Sequence, residues 1–442
     1  MQISRWNYQI LLLTCLLLLS CGQSKVDKTG DIPVIDIIGS LGEYEAIPVS
    51  QYITELEYIP LETRDDCLIG GWIGSIVTST HIFVLNNKFC YAFGRDGRFL
   101  GQIGSAGQGP GEYSSLNDFT VDEKKRSLYL ETSRTLLEYS WDNTFRQSIN
   151  LPQNKYETPL NNIIFVRDNL FLGHSRNYKG DLNHNFILFD ESSEIVKSFD
   201  NYMQFNRARL VGGQDDGSMK PYRKGEYVHV KEISNDTLFL LNEQNELIPQ
   251  YIFNLGEYTV TKEIRENLAP GGADNTKKII LPLRSFLPMI ETPNHIFFSL
   301  MAANLSGKYT FPKKKELQRD AIPPGITPIE TDDRALVGIY DAASQTTRLL
   351  DTDPVTRMSG LINDLDGGLS FWPRYYTSDN ELVDMWRVED MKELLTEEYF
   401  AAHEIKDPIA HQKLKTMLQK LDEDDNPVVV IAKLKIGVNR GE

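Results

Sequence analysis

Residues 93–113 read FGRDGRFLGQIGSAGQGPGEY, and DFTVD follows at 118–122 and SLYL at 127–130. The pair Asp96-Gly97 predicts a tight hairpin turn between two short strands, because glycine readily takes the positive φ that such turns need. The glycine-rich segment Gly104–Gly111 predicts a corner before the next strand. It is followed by a strand and contains no lysine, so a phosphate-binding loop is disfavoured. The stretch therefore indicates antiparallel strands joined by turns.

The same order of strand, turn, aromatic strand, turn and corner recurs along the chain. NNIIFV, DNLFLGHS, NFILFD and EIVKSFD lie within 161–200, and EYVHVKEI, DTLFLLN and ELIPQYIFNLG lie within 226–256. Several strands in each unit of about 40 to 50 residues are typical of a β-propeller. No amphipathic helix of ten or more residues separates the strands, which argues against a parallel α/β fold. We therefore predict an all-β, six-bladed propeller over residues 33–387.

The first 20 residues have the pattern of a signal peptide. Arg5 and the start amine supply positive charge, and an apolar run follows from Ile10 to Leu19. Ten residues of helix are too short for a bilayer core of about 30 Å, so a membrane-spanning helix is disfavoured. Residues 1–20 are therefore predicted to direct export.

The apolar run ends Leu18-Leu19-Ser20-Cys21-Gly22, which resembles the lipobox of bacterial lipoproteins. The resemblance implies cleavage between Ser20 and Cys21 and acylation of Cys21, and several acyl chains would give a stable membrane anchor. The alternative is an ordinary signal peptide in which Cys21 is incidental. Residues 21–32 would then be a polar tether. No acidic run follows Cys21, which favours a periplasm-facing position in the cell envelope, with surface exposure as the alternative.

Two further cysteines, Cys67 and Cys90, would lie in an oxidising compartment where a disulfide can persist. We favour the interpretation that they are two buried, unpaired residues in neighbouring strands.

The sequence changes character after the β region, and residues 388–442 are predicted to be a helical cap with a closing strand. Residues 388–421 have helical spacing and are divided by Asp407-Pro408, which predicts two helices that cover one face of the propeller. A propeller also needs its last blade closed by the chain ends. The closing strand is predicted to be either Val428–Lys435 or the N-terminal segment Pro33–Ile38.

Charge excludes one class of partner. The chain has 46 Lys+Arg against 62 Asp+Glu and a net charge of −16, without a basic block, so a nucleic acid held by its phosphates is not expected. The most basic region contains Arg207, Arg209, Lys220, Arg223 and Lys224. It could receive an anionic ligand, but we favour a solvated loop.

One loop has the composition of a cation site. Asn363, Asp364 and Asp366 place oxygen-bearing side chains on one short loop, and Gly367-Gly368 allows that loop to turn tightly. Calcium requires several oxygen ligands brought close together in this way. The alternative is a blade turn in which the aspartates bond their own backbone. Calcium is the one cofactor suggested, and no metal ligand is assigned. Trp372 and Tyr375-Tyr376 follow the loop, and such aromatics either stack on a sugar or peptide or form core between blades.

Together these segments resemble a known group of proteins. Residues 93–130 resemble the NHL-type repeat, and the whole chain resembles the lipid-anchored six-bladed propellers of the TolB-like superfamily. The matching segments are the lipobox, GPGEY at 109–113, NDTLFLLN at 235–242, NDLDGGLSFWP at 363–373 and DNPVVVIAKLK at 425–435. Residues 260–335 match poorly.

The resemblance implies a fold rather than one reaction. The predicted function is a lipid-anchored binding module whose loops and channel mouth hold a peptide, a glycan or an envelope protein. The alternative is an enzyme, because similar propellers include lactonases that hold a divalent metal in the central channel through Glu, Asn and Asp, as well as lyases and hydrolases. The sequence contains no HExxH or GxSxG motif, so we assign no catalytic residue.

Overall fold

The computed structural model describes residues 32–70, 74–86, 88–155, 157–177, 179–206, 220–267, 281–282, 289–301 and 335–435. The predicted signal peptide at 1–20, the cleavage and acylation positions Ser20 and Cys21, and the tether up to residue 31 lie outside these ranges. So do Arg207 and Arg209 of the basic region.

Strands of the described residues form six sheets, and each sheet is one blade of a propeller. Three N-terminal strands, β1 (Val34–Asp36), β2 (Tyr44–Glu45) and β3 (Ile53–Pro60), precede the first complete blade. Blade 1 contains β4 (Gly74–Val77), β5 (His81–Leu85), β6 (Cys90–Gly94) and β7 (Phe99–Ile103). Blade 2 contains β8 (Asp118–Asp122), β9 (Ser127–Glu131), β10 (Thr135–Ser140) and β11 (Phe145–Asn150). Blade 3 contains β12 (Asn161–Arg167), β13 (Leu170–His174), β14 (His184–Asp190) and β15 (Ile195–Asp200).

The remaining three blades follow the same inner-to-outer order. Blade 4 contains β16 (Tyr222–Lys224), β17 (Tyr227–Val230), β18 (Thr237–Leu241) and β19 (Leu247–Asn254). Blade 5 contains β20 (Leu281–Pro282) and β21 (Ile290–Glu291), which both pair with β22 (His295–Met301), then β23 (Ala335–Asp341) and β24 (Thr346–Leu350). Blade 6 contains β25 (Tyr375–Tyr376), β26 (Glu381–Trp386) and β27 (Val428–Leu434). The predicted six-bladed β-propeller is therefore confirmed.

Blade 6 closes the ring with strands from both ends of the chain. Strand β3 is its outermost strand and pairs antiparallel with β27, from Val428 opposite Pro60 to Leu434 opposite Ile53. The C-terminal strand predicted as Val428–Lys435 thus lies in the closing blade. The N-terminal partner is Ile53–Pro60, an eight-residue strand long enough to cover β27.

The other predicted closing segment, Pro33–Ile38, is not the closing strand. Strand β1 instead pairs in parallel with β19 on the outer edge of blade 4, where Ile35 and Ile37 are completely buried. A four-residue helix, α1 (Ile37–Ser40), follows, and β2 then pairs in parallel with β24 on the outer edge of blade 5. We call residues 33–52 the belt, because they run along blades 4 and 5 before the chain enters blade 6.

One further helix lies between blades 4 and 5 in the chain, and three lie within blade 6, between β26 and β27. They are α2 (Lys262–Asn267), α3 (Val388–Leu394), α4 (Glu397–Ala402) and α5 (Pro408–Leu418). Three helices thus follow β26 where two were predicted, because Thr396 accepts a hydrogen bond from the Tyr399 N–H and begins a new helix. Asp407 caps α5, and Pro408 lies at its first turn as predicted. No helix among the described residues is long and apolar enough to cross a membrane.

Each blade packs against its neighbours through buried side chains of its two faces. Cys90 packs with Phe83 and Leu130 between blades 1 and 2, whereas Cys67 packs with Ile59 and Val77 near blade 6. Both thiols are buried and free, as favoured, but only Cys90 lies in a strand, because Cys67 forms an isolated bridge with Arg64. Burial raises the pKa of the Cys67 thiol to about 12, so this thiol is unreactive in the folded protein.

Candidate functional site

A cavity of about 1520 Å³ occupies the centre of the ring. The innermost strands of all six blades contribute to its wall: β4, β8, β12, β16, β21 and β25. Such central cavities are the usual place for a ligand in a closed β structure, because side chains from many strands converge there. The cavity is larger than the roughly 300–1,000 Å³ typical of small-molecule pockets, so it has room for an oligomeric ligand.

The wall of the cavity combines aromatic side chains with charges of both signs. Its aromatic residues include Tyr222, Tyr227, Tyr251, Tyr375, Tyr376 and Trp386. Its basic residues are Lys124, Lys125, Arg167, Lys220, Arg223, Lys224, Arg374 and Arg387, and its acidic residues are Asp122, Glu123, Asp168, Glu226, Glu243, Glu291 and Asp390. Acidic residues predominate in the chain as a whole but not in this wall, so the cavity is locally more favourable to anions than the net charge indicates.

The inner strand of blade 4 sends successive side chains towards different neighbouring blades. Tyr222 and Lys224 both contact Glu291 of blade 5: the Tyr222 hydroxyl lies 2.9 Å from Oε2 and Lys224 Nζ 2.6 Å from Oε1. Arg223, which lies between them, donates through Nη2 to the backbone carbonyls of Phe165 and Val166 in blade 3. This division follows from strand geometry, since alternate residues of a strand point to opposite faces of the sheet.

Glu291 is the centre of a buried polar cluster between blades 4 and 5. Beyond Tyr222 and Lys224, the hydroxyl of Tyr251 and Nε2 of His229 each lie 3.4 Å from its carboxylate. Burial lowers the pKa of His229, against the opposing effect of Glu291, so the imidazole is neutral near pH 7. Because both carboxylate oxygens already have partners, the cluster holds the two blades together and presents Lys224 to the cavity.

Charged turns cross the end of the cavity at which the inner strands finish. Lys124 Nζ of blade 2 lies 3.3 Å from Glu226 of blade 4, and the Ser378 hydroxyl of blade 6 donates to Glu123 of blade 2 at 2.9 Å. Each contact passes over an intervening blade. Towards the other end, Lys220 lies 2.6 Å from Asp118. The cavity is therefore lined with ions along its length.

The predicted cation loop lies outside the cavity, and its carboxylates are engaged with protein groups. Asp364 accepts from Lys406 Nζ at 2.6 Å and from the backbone N–H of Ser50 at 2.9 Å. Asp366 accepts from Asn363 Nδ2 at 2.8 Å and from the Tyr58 hydroxyl at 2.9 Å.

The two carboxylates of this loop thus bind different partners. Among the residues that the structure describes, no three His, Cys, Asp or Glu side chains are grouped as metal ligands. Calcium binding at Asn363, Asp364 and Asp366 stays a prediction that thermal unfolding can test.

The aromatic residues after the loop take two different roles. Trp372 is core and packs edge-to-face on Phe297, with ring centroids 5.7 Å apart. Tyr375 and Tyr376 form the inner strand of blade 6 and line the cavity. The glycine-rich segment Gly104–Gly111 joins the outer strand of blade 1 to the inner strand of blade 2, which is the predicted corner.

Sequence reasoning missed the convergence of Arg223, Lys224 and Lys220 on the cavity and interpreted them as a solvated loop. Arg223 and Lys224 are half-buried in an inner strand. The signal that could have located them is the hairpin Tyr222-Arg223-Lys224-Gly225, because the first strand of each repeat unit is the inner one. Glu291 gave no such signal, since it lies in a two-residue strand outside the recognisable repeats.

The fold and the site together define a six-bladed β-propeller with a charged, aromatic central cavity. The chain belongs to a family described as "Domain of unknown function (DUF4934)", whose model matches residues 32–433. No curated protein sequence matches the chain.

Solved structures share this fold at low sequence identity. A Bacteroides fragilis NCTC 9343 protein described as a candidate exported protein is 19% identical, with 91% of this chain and 100% of that chain covered and a TM-score of 0.64. A DUF4221 family member from Bacteroides vulgatus ATCC 8482 is 9% identical, with 87% and 97% covered and a TM-score of 0.48. Virginiamycin B lyase from Staphylococcus aureus is 9% identical, with 74% and 80% covered and a TM-score of 0.37. The first match shows a common fold, and the other two are too distant to carry an argument.

Proposed function

We propose that the protein is a lipid-anchored binding module of the bacterial cell envelope, and that its ligand site is the central cavity. The observation that carries the proposal is the cavity of about 1520 Å³, whose wall is built from all six blades and mixes tyrosines with cations and anions. Tyrosine faces stack on sugar rings or peptide side chains, while charged groups fix the orientation of a ligand. The ligand is a glycan, a peptide or a segment of an envelope protein.

Binding is preferred to catalysis because of how the polar groups are arranged. A metal-dependent lactonase-type site needs several oxygen ligands that converge on one point, and no three His, Cys, Asp or Glu side chains of the described residues are grouped in that way. The buried acid–base cluster of the cavity wall around Glu291 is saturated by contacts between blades.

The cavity assignment can be tested by blocking the cavity from its wall. Ser75 lies in the inner strand of blade 1 and lines the cavity, whereas Ser192 is exposed in the outer turn of blade 3. A panel of oligosaccharides and peptides is titrated calorimetrically into the purified protein. We expect Ser75→Trp to abolish binding of any panel member that binds the wild type, and Ser192→Trp to leave it unchanged. Equal binding by both variants would contradict the assignment.

The envelope location is supported by the signal-peptide pattern at 1–20 and by the lipobox at Cys21. The fold relative from Bacteroides fragilis, described as a candidate exported protein, is consistent with it. Metabolic labelling with a palmitate analogue tests the anchor. We expect label in the wild type and none in Cys21→Ala, and label retained in that variant would exclude acylation of Cys21. Protease accessibility in intact cells separates the periplasmic from the surface-exposed position.

A further inference from the structure

Arg223 is a half-buried cation of the cavity wall. It belongs to β16 of blade 4, and its Nη2 donates to the carbonyls of Phe165 and Val166, the latter at 2.8 Å. These bonds fix the plane of the guanidinium against blade 3. Its Nε and Nη1 groups have no hydrogen-bond partner among the residues that the structure describes. Two of the three guanidinium nitrogens are therefore left to donate to a ligand.

Arg223 also lacks a counter-ion. Several other cations of the wall have one, as Lys224 has Glu291 and Lys220 has Asp118, both at 2.6 Å. No carboxylate of the described residues forms an ion pair with Arg223.

The groups that face Arg223 are Tyr375, Glu226, Asp122 and Glu123, which act on it electrostatically from a greater distance. Burial lowers the pKa of Arg223 against their effect, which shows that the guanidinium is poorly solvated. A half-buried cation without a counter-ion costs free energy, and an anion that pairs with it recovers part of that cost.

We propose that Arg223 is an anion subsite of the central cavity and that it takes the carboxylate of a uronic-acid oligosaccharide. This inference rests on the proposed binding function and names the class of its ligand. The N–H groups of Nε and Nη1 can donate charge-assisted hydrogen bonds to the oxygens of a carboxylate.

The surroundings favour a sugar as the carrier of that carboxylate. Tyr375 is near enough to act on Arg223 electrostatically, and Tyr376, Tyr227 and Trp386 provide further aromatic surface in the same wall. Flat aromatic faces stack on pyranose rings, and tyrosine hydroxyls bond to sugar hydroxyls. Two further cations lie at the turns near the mouth. Lys125 bonds to the Asn169 side chain, and Arg167 bonds to backbone carbonyls of the blade 4 turn. Neither bonds to a described carboxylate. These groups add attraction for an anionic ligand on its way in.

The test compares oligosaccharides that differ only in the carboxylate. Oligomers of galacturonic, glucuronic and iduronic acid are titrated calorimetrically into the purified protein, each beside its carboxyl-reduced derivative. We expect at least one uronate oligomer to bind, with its carboxyl-reduced form at least tenfold weaker.

Substitutions of single arginines then test which residue causes the preference for the charged ligand. Arg223→Met should remove the tenfold difference by weakening the charged ligand to the level of the neutral one, and Arg98→Met, at an exposed turn of blade 1, should keep it. Because Arg223 joins two blades, Arg223→Lys serves as a second variant, which should fold and retain a smaller preference for the charged form.

Three results would overturn the inference. They are equal binding of a uronate and its reduced form, an unchanged preference in Arg223→Met, and binding of peptides or of sulfated neutral sugars in place of uronates. Peptide binding that Ser75→Trp abolishes would leave the proposed binding function intact. Failure of every oligosaccharide and peptide to bind would count against both proposals.

Discussion

Glu131 shows how packing between blades changes the chemistry of one residue. It ends the second strand of blade 2, is 2% exposed, and accepts a hydrogen bond from the Ile163 N–H of blade 3 at 3.1 Å. Burial, reinforced by Asp118, raises the pKa of Glu131 to about 8, although the Ile163 N–H, Lys220 and Arg176 oppose the shift. The carboxyl group is therefore mostly protonated at pH 7 in the folded protein.

This shift makes stability depend on pH with a definite sign. The ordinary pKa is 4.5, so between about pH 5 and pH 8 the folded state holds a proton that the unfolded state has lost. Stability therefore falls as pH rises through this window. Glu131→Gln keeps an acceptor for Ile163 and should remove about 3.5 kcal/mol of that loss. Urea unfolding at pH 5 and pH 8 measures it, with the exposed Glu191→Gln as control. An unchanged pH dependence in Glu131→Gln would contradict the assignment.

The loop around Asp366 tests the calcium prediction at the scale of single residues. Lys406 already bonds to Asp364, and Asn363 and Tyr58 already bond to Asp366, so the bonds available to a cation are taken. We expect the midpoint of thermal unfolding to differ by less than about 1 °C between millimolar calcium and a chelator. A larger rise with calcium that Asp366→Asn abolishes would show that the loop binds the ion.

At the scale of elements, the belt is held by side chains that point inward from a short strand. Ile35 is completely buried against blade 4, whereas its neighbour Val34 is 46% exposed. Asp36 adds a hydrogen bond from its backbone N–H to Thr347 of blade 5 at 2.9 Å. The belt therefore covers the outer edges of two blades, which limits their pairing with other chains.

Substitutions at two adjacent positions of β1 compare the contribution of its buried face to stability with that of its exposed face. Ile35→Ala should destabilise the protein by about 2–4 kcal/mol, because it leaves a cavity in a buried contact. Val34→Ala, on the exposed face of the same strand, should change stability by less than about 0.5 kcal/mol. Urea denaturation of both variants measures the difference. Similar small effects would mean that the belt does not contribute to the folded core.

The elements themselves were largely predictable, and their partners were not. Asp96-Gly97 marked a hairpin correctly because a turn is set by adjacent residues. Val34–Asp36 was recognisable as a strand, but its pairing with Ile252 depends on chain segments more than 200 residues away, and local pattern does not encode that. For the same reason Arg223 was assigned to solvent. Its polarity is visible in the sequence, whereas its position in an inner strand exists only once the ring has closed.

At the scale of the whole molecule, closure of the ring depends on the pairing of β3 with β27. Glu55 and Lys433 lie directly opposite each other in this pair, form an ion pair at 2.9 Å, and are 378 residues apart in sequence. An exposed ion pair of this kind stabilises by at most about 1 kcal/mol. This seam between β3 and β27 is instead held by the backbone pairing of the two strands and by buried residues such as Val430 and Leu56. A covalent link across it would close almost the whole chain into a loop.

A disulfide at this seam tests whether ring closure limits stability. Opposite positions in antiparallel strands bring Cβ atoms close enough for a Glu55→Cys, Lys433→Cys pair, and the buried Cys67 and Cys90 leave it undisturbed. In the chain-entropy model so long a loop stabilises by about 6 kcal/mol, compared with about 3 kcal/mol for a short loop. The short-loop control is His184→Cys, Asp200→Cys, an opposite pair within blade 3. We expect oxidation to raise the melting temperature by about 5 °C at the seam and by roughly half as much in blade 3, with both gains reversed by reductant. Equal gains would mean that the stabilisation does not grow with loop length as the chain-entropy model requires, so that linking the two chain ends restricts the unfolded chain no more than a link within one blade does.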